Sequence, residues 1–303
     1  MRAFVLSIIL VSLIRATVLA QTVEGTDLPY RISEKKLSPL RSRTDTVFQN
    51  MLSKELKQNK EWKTLITEKK MAIGVVDISD PENIKYARVN GGVMMYAASL
   101  PKIAILLSAM DAFERGEIEE TESVKDDLRL MISKSDNNAA SRMIELLGYE
   151  KIEEVLTDPK YELYDEEFGG GLWVGKEYAR QGERNPDPLM GLSHAATVTQ
   201  VCRFYYLMAF GRLVSYERSL EMLLLMEDPE LHHKFVNTLD KIVPDAIMFR
   251  KSGTWREWHS DSILVWGPKW RRYILVGLIE DYRGEEILRT VIPVIEKVLQ
   301  SLK

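Results

Sequence analysis

The sequence predicts an α+β protein in which one antiparallel sheet, built from both ends of the chain and flanked by helices, is joined to an all-α lobe. Three observations carry that expectation. Met71 to Ile78 is a short apolar, β-branched run with a turn after it. Three more strand-like runs lie late in the chain, at Met248 to Gly253, Ser260 to Trp266 and Arg272 to Glu280. Most of what lies between has helical periodicity.

The elements follow in order. Met1-Arg2 gives a positive start, Phe4 to Leu13 an apolar stretch, and Val18-Leu19-Ala20 the small-x-small pattern that signal peptidase accepts. This predicts a signal peptide over residues 1–20, a mature start near Gln21, and an exported protein, periplasmic or secreted. An uncleaved anchor is the alternative, although Arg15 breaks the apolar stretch and argues against a stable membrane span. Residues 21–43 read as an N-terminal extension and 44–303 as the main domain.

Within that domain, Val47, Met51, Leu52 and Leu56 have helical spacing and predict a helix over 44–70, with Thr44 or Asp45 as its cap. After the strand at Met71, Asp80-Pro81-Glu82-Asn83 makes a turn and Lys85 to Val89 returns as the hairpin partner. Ile103, Leu106, Leu107, Met110 and Phe113 mark a helix ending near Gly116. The pattern stays helical from Glu117 to Leu147, and Gly148 is a stop. Residues 157–193 have little periodicity, and a stretch of that length is functional or disordered. Helix returns over His194 to Met226, and an amphipathic helix closes the chain over 285–302 despite Pro293. The α/β lobe is therefore expected from about 44–100 and 246–303, and the all-α lobe from about 101–245.

Composition excludes several functions. A formal net charge of −4 argues against nucleic acid, and the basic run Lys269-Trp270-Arg271-Arg272 reads as a solvated strand end. Cys202 is the single cysteine, so no internal disulfide forms, and its apolar surroundings predict core packing. His194, His232, His233 and His259 show no metal-binding spacing, and the adjacent pair should face two sides of a helix. No metal or cofactor is expected. Trp255, Trp258 and Trp266 are expected to pack against the last helix, with walling a cleft as the alternative.

Three short patterns can carry chemistry. Ser99-Leu100-Pro101-Lys102 opens a helix, and a spacing of three puts serine and lysine on one face within reach of each other. A lysine in a partly dry pocket can lose its proton and serve as base. The same pattern is also common as a simple helix cap. Ser135-Asp136-Asn137 precedes the helix of Asn138 to Leu147; its hydroxyl can pass a proton and its amide can hold a carbonyl, or it can merely cap. Lys251-Ser252-Gly253 falls on the first late strand, where cation and hydroxyl suit a substrate carboxylate and glycine admits a ligand against the edge.

Together, in this order and context, S-x-x-K, S-D-N and K-S-G resemble the signature of class A β-lactamases and penicillin-binding serine hydrolases, over roughly residues 45–303. The resemblance implies a β-lactamase/transpeptidase-like fold and a serine hydrolase without metal or cofactor. It implies Ser99 as nucleophile, Lys102 and Ser135 as proton carriers, and Asn137 holding the substrate amide. Lys251 and Ser252 would bind the carboxylate, with the backbone N–H groups of Ser99 and Thr254, just after Gly253, as the oxyanion hole. The expected partner is a β-lactam or, alternatively, a cell-wall D-alanyl-D-alanine peptide, and the expected state a monomer. One part is missing: the Glu-x-x-Leu-Asn motif that class A enzymes carry on the loop before the helix expected at His194. Glu177 is the nearest substitute as hydrolytic base, and Asp165-Glu166-Glu167 reads as a surface run.

Overall fold

The computed structural model describes residues 22–33, 37–178 and 182–303, so the signal over 1–20 and the start near Gln21 lie outside the described residues. Asp45 accepts the Phe48 N–H at 2.8 Å and caps α1 (Thr46–Leu56). The single helix expected over 44–70 is two, because Asn59 accepts from the N–H groups of Glu61 and Trp62 and starts α2 (Lys60–Thr67) afresh. The expected hairpin follows as β1 (Met71–Asp77) and β2 (Lys85–Val89). A two-residue strand, β3 (Met95–Tyr96), leads into the turn that carries Ser99, and α3 (Lys102–Glu114) comes next.

The helical stretch expected over Glu117 to Leu147 divides into α4 (Glu122–Ser133) and α5 (Asn137–Leu147). Its break is at Ser135, whose φ of 59° no right-handed helix accommodates. After α6 (Tyr149–Thr157) the described residues of the irregular stretch include three two-residue strands, β4 (Tyr164–Asp165), β5 (Gly170–Gly171) and β6 (Trp173–Val174), and a 3-10 turn at Glu166–Phe168. The helix expected from His194 starts later. His194–Ala196 is β7, pairing with both β3 and β6, and Thr197 caps α7 (Val198–Ala209). Then come α8 (Tyr216–Met226) and α9 (Phe235–Ile242). His232 and His233 lie in the loop before α9, not on a helix. The three late strands are β8 (Ile247–Trp255), β9 (Trp258–Trp266) and β10 (Arg272–Glu280), and α10 (Gly284–Gln300) ends the fold.

The main sheet is antiparallel with order β2-β1-β10-β9-β8, so the two ends of the chain meet where β1 pairs β10, with Met71 opposite Ile279. Both faces are covered. Met71, Ile73 and Val75 pack with α1, α2, α9 and α10, while Ala72 and Val76 join the core of α3 to α8. Alternate residues thus enter different cores, which is why β1 reads as an unbroken apolar run. Residues before 44 contribute too: Val23, Leu28 and Tyr30 are buried, and the Tyr30 hydroxyl donates to Ile78 O at 3.1 Å.

Cys202 is wholly buried on α7 against Gly74, where an added Cβ would lie 2.8 Å from its Sγ. Burial pushes the thiol up, which suits packing and not nucleophilic attack. The tryptophans depart from expectation. Trp266 packs on Tyr30 at 5.5 Å between ring centroids, on the face of the sheet away from α10. Trp255 and Trp258 line a cleft beside Ser99. Among the described residues no helix is long and apolar enough to cross a membrane.

Candidate active site

The site forms where the turn before α3 meets the break between α4 and α5 and the end of β8. Ala97 is held by backbone and side chain at once: its N–H donates to His194 O at 2.9 Å, and its carbonyl accepts from Ser260 Oγ at 2.7 Å. Ala98 takes a left-handed φ of 50°, which turns the chain so that Ser99 faces a cleft of about 780 Å³. Asn137, Thr254, Tyr178, Glu177 and Trp255 share that cleft. Gly253 makes the approach of β8 possible, since a Cβ there would stand 2.3 Å from Ala97 O and 2.5 Å from Ser99 N. No acceptor among the described residues takes the Ser99 N–H.

Lys102 is fully buried, and its ammonium is spent on the α4–α5 break. It donates to Ser135 O at 2.6 Å, Asn137 Oδ1 at 2.8 Å and Asp136 O at 3.2 Å, with Ser135 Oγ at 3.5 Å. No hydrogen bond joins it to Ser99 Oγ among the described contacts, although sequence spacing places the two within reach. Burial pulls Lys102 down to about 7, with the Asp136 charge opposing in part. An amine so placed is half neutral near neutral pH.

Lys251 reaches the same hydroxyl from the other side, donating to Ser135 Oγ at 2.8 Å and to Ser252 O at 3.0 Å. Burial, then the neighbouring Lys102 charge, holds it well below the ordinary lysine range. Ser135 Oγ therefore stands between two lysine amines, an arrangement through which a proton can pass. Ser252 is buried, and exposed Thr254 lines the cleft. Behind β8, Arg250 pairs Asp261 through two bonds of 2.8 and 3.0 Å, and neither side chain reaches solvent.

Glu177 is on the cleft wall but does not come to Lys102. Its charge acts on the Tyr149 phenol and its carboxyl faces Gly182, while Asp136 alone among the carboxylates acts on Lys102. The next residue takes the inward place. The Tyr178 ring centroid lies 4.5 Å from Lys102 Nζ, and its hydroxyl donates to Ala98 O at 3.3 Å. Lys176, Glu177 and Tyr178 all line the cleft, but only the Tyr178 ring is in contact with Lys102. Asp165 to Glu167 lie away from the cleft, with Asp165 beside Arg41 at 3.7 Å.

Three further side chains carried no signal in the sequence. Lys234, buried, donates to Gly253 O at 2.5 Å and Ser260 O at 2.9 Å and pins β8 to β9. Ser260 fixes Ala97, and the His194 ring packs on Tyr178 at a 44° tilt with centroids 4.3 Å apart. Each acts through a contact far apart in sequence. Among the described residues no group of His, Cys, Asp and Glu is placed to hold a metal ion.

The sequence profile of the Beta-lactamase enzyme family matches residues 119–295, more than half of the chain. The chain belongs to that family. The match takes in Ser135 to Asn137 and Lys251 to Gly253, and it begins after Ser99 and Lys102. Solved structures extend the likeness, as fold, to a larger share of the chain. A β-lactamase from Sphaerobacter thermophilus superposes with a TM-score of 0.61 at 16% identity, over 82% of this chain and 95% of that one. A class A β-lactamase from Bacteroides cellulosilyticus gives 0.60 at 16% identity, over 85% and 100%. A mutant of PBP-A, solved as its acyl-enzyme complex with penicillin G, gives 0.62 at 18% identity, over 88% and 99%. No curated protein matches the chain. These structures show the β-lactamase/transpeptidase-like fold, and the family match shows a serine hydrolase of the β-lactamase kind.

Proposed function

We propose that this β-lactamase family member opens β-lactam amides through a Ser99 acyl-enzyme, in the manner of class A enzymes, and frees the acyl group slowly. The supporting observation is the convergence on Ser135, whose hydroxyl lies 2.8 Å from Lys251 Nζ and 3.5 Å from Lys102 Nζ beside the Ser99 cleft. Ser99 Oγ attacks the lactam carbonyl carbon, and the neutral Lys102 amine receives its proton. That proton passes by way of Ser135 to the lactam nitrogen as the C–N bond breaks. The N–H groups of Ser99 and Thr254 carry the oxyanion, Asn137 holds the amide side chain, and Lys251 with Ser252 binds the carboxylate.

Slow release follows from the cleft wall. A positioned general base contributes about 10²–10⁴ in rate, and beside Lys102 there is a phenol instead of a carboxylate. Glu177 is a hydrolytic base only if its carboxylate leaves the Tyr149 side. The same observation favours a second reading, a D-alanyl-D-alanine peptidase or other penicillin-binding hydrolase acting on cell-wall peptide. With either substrate the protein works as an exported monomer, periplasmic or secreted, with residues 44–303 as its catalytic domain.

Incubating the protein with a chromogenic cephalosporin, and following colour with intact mass, tests this. The expected result is a burst of colour, one adduct per chain on Ser99, and slow turnover, with no adduct in Ser99→Ala. Labelling of Ser99→Ala equal to the parent would overturn the assignment, and fast turnover without adduct would overturn slow release.

A further inference from the structure

We propose that Tyr178 is a positioning residue for acyl transfer, a ring that seals Lys102 from the water of the cleft. The inference rests on the reading of Ser99 and Lys102 as the acyl-transfer pair. Tyr178 is fixed from three directions. Its ring lies against the Lys102 ammonium at 4.5 Å, its hydroxyl bonds the carbonyl of the residue before Ser99, and the His194 ring packs on it at a 44° tilt with centroids 4.3 Å apart. His194 is itself oriented, with Nε2 3.0 Å from Lys176 O and Nδ1 3.1 Å from Ser193 Oγ. Tyr178 therefore stands as a fixed partition between Lys102 and the cleft that Ser99 opens into.

The ring has two opposed effects on the amine. Its π-face attracts the ammonium, which is worth roughly tenfold in the protonation equilibrium. Keeping water out favours the neutral amine, worth a thousandfold or more at complete burial. Exclusion wins, in keeping with the fall of Lys102 to about 7. Asn137 also lines the cleft and meets the amine at 2.8 Å, but as a hydrogen-bond acceptor it favours the charged form, so the apolar cover on the cleft side is the Tyr178 ring. Asp136, at the start of α5, favours the charged form, while Ser135 and Asn137 are neutral acceptors. Lys251, on β8, adds a like charge but no cover on the cleft side, and His194 on β7 stays neutral, held down to about 4 by burial.

The test reads Lys102 without any substrate. Full-length protein carrying 13Cε-lysine is titrated by NMR, the Lys102 signal being assigned from its loss in Lys102→Met. Tyr178→Phe, which keeps the ring, should leave the Lys102 midpoint where it is in the parent. Tyr178→Ala should raise it by about one pH unit or more, and the acid limb of penicillin adduct formation should move up with it. A folded Tyr178→Ala protein with an unchanged midpoint would overturn the proposal. So would a Tyr178→Phe protein whose Lys102 titrates like an ordinary lysine, an arm that stands if the alanine variant does not fold. A parent that forms no Ser99 adduct while Lys102 shifts as expected would overturn the proposed function and support the seal.

Discussion

The tightest geometric demand in the site falls on a residue with no side chain. Gly253 lies so near the Ser99 turn that a methyl group would meet Ala97 O at 2.3 Å, Ser99 N at 2.5 Å and Leu100 N at 2.7 Å, all backbone atoms. Those atoms cannot swing aside as a flexible side chain would, because Ser260 Oγ holds Ala97 O and Lys234 holds Gly253 O. Gly253→Ala must therefore separate β8 from the Ser99 turn. Overpacking of this kind costs about 2 kcal/mol, and a displacement near 1 Å at reacting groups costs about 10² in rate. Acylation of Gly253→Ala by penicillin should fall about a hundredfold while the fold persists, measured as adduct formation against time beside a urea unfolding curve. An unchanged rate would mean that β8 and Ser99 are not held in contact in solution.

Elements explain how the second motif serves both structure and chemistry. The break between α4 and α5 places Ser135 at a φ of 59°, which costs a non-glycine residue about 1–2 kcal/mol. In return the Ser135 and Asp136 carbonyls and the Asn137 amide all face Lys102, and Asp136 caps α5 through Ala139 N at 2.7 Å. Asp136→Ala should cost about 1 kcal/mol through the lost cap. It should also lower the Lys102 midpoint below about 7, because it removes the one charge that favours the ammonium. Asp136→Asn keeps the cap and loses the charge, so its Lys102 titration should fall with little change in urea midpoint. Equal behaviour of the two variants in both measurements would refute this division. The same element shows what the sequence could tell. S-x-x-K, S-D-N and K-S-G were legible because each is local, and the strands β1, β2, β8, β9 and β10 were legible because apolar runs bounded by turns have few alternatives. Helix ends were not: the Asn59 cap, the left-handed Ser135 and the pairing of His194 with β3 and β6 are decided by one side chain or by a distant strand. Tyr178 escaped for the same reason, as its partner Ala98 is 80 positions away.

At the scale of the whole molecule, both faces of the sheet are buried and the cations beside β8 are taken out of water with it. Folding lowers Lys102 and Lys234 from the ordinary lysine value to about 7, and His194 and His233 from 6.5 to about 4, burial being the first cause in each. The unfolded chain therefore binds more protons than the folded one, across about pH 4–6.5 for the histidines and about 7–10 for the lysines. Stability must rise with pH wherever that holds. Above about pH 10 the sign reverses, because buried Tyr86, Tyr205 and Tyr273 keep protons that the unfolded chain gives up. Urea unfolding should thus show a midpoint that climbs from pH 5 to pH 9, by at least about 1 kcal/mol between pH 7 and 9, and then declines. Lys234→Met should make the climb between pH 7 and 9 shallower, since it removes one of the buried amines, with Lys102 and Lys251, that cause it, and should leave the climb below pH 6.5 in place. A parent midpoint that falls between pH 7 and 9 would mean that the buried lysines keep their protons in the folded state, and Lys102 would then be no base at neutral pH.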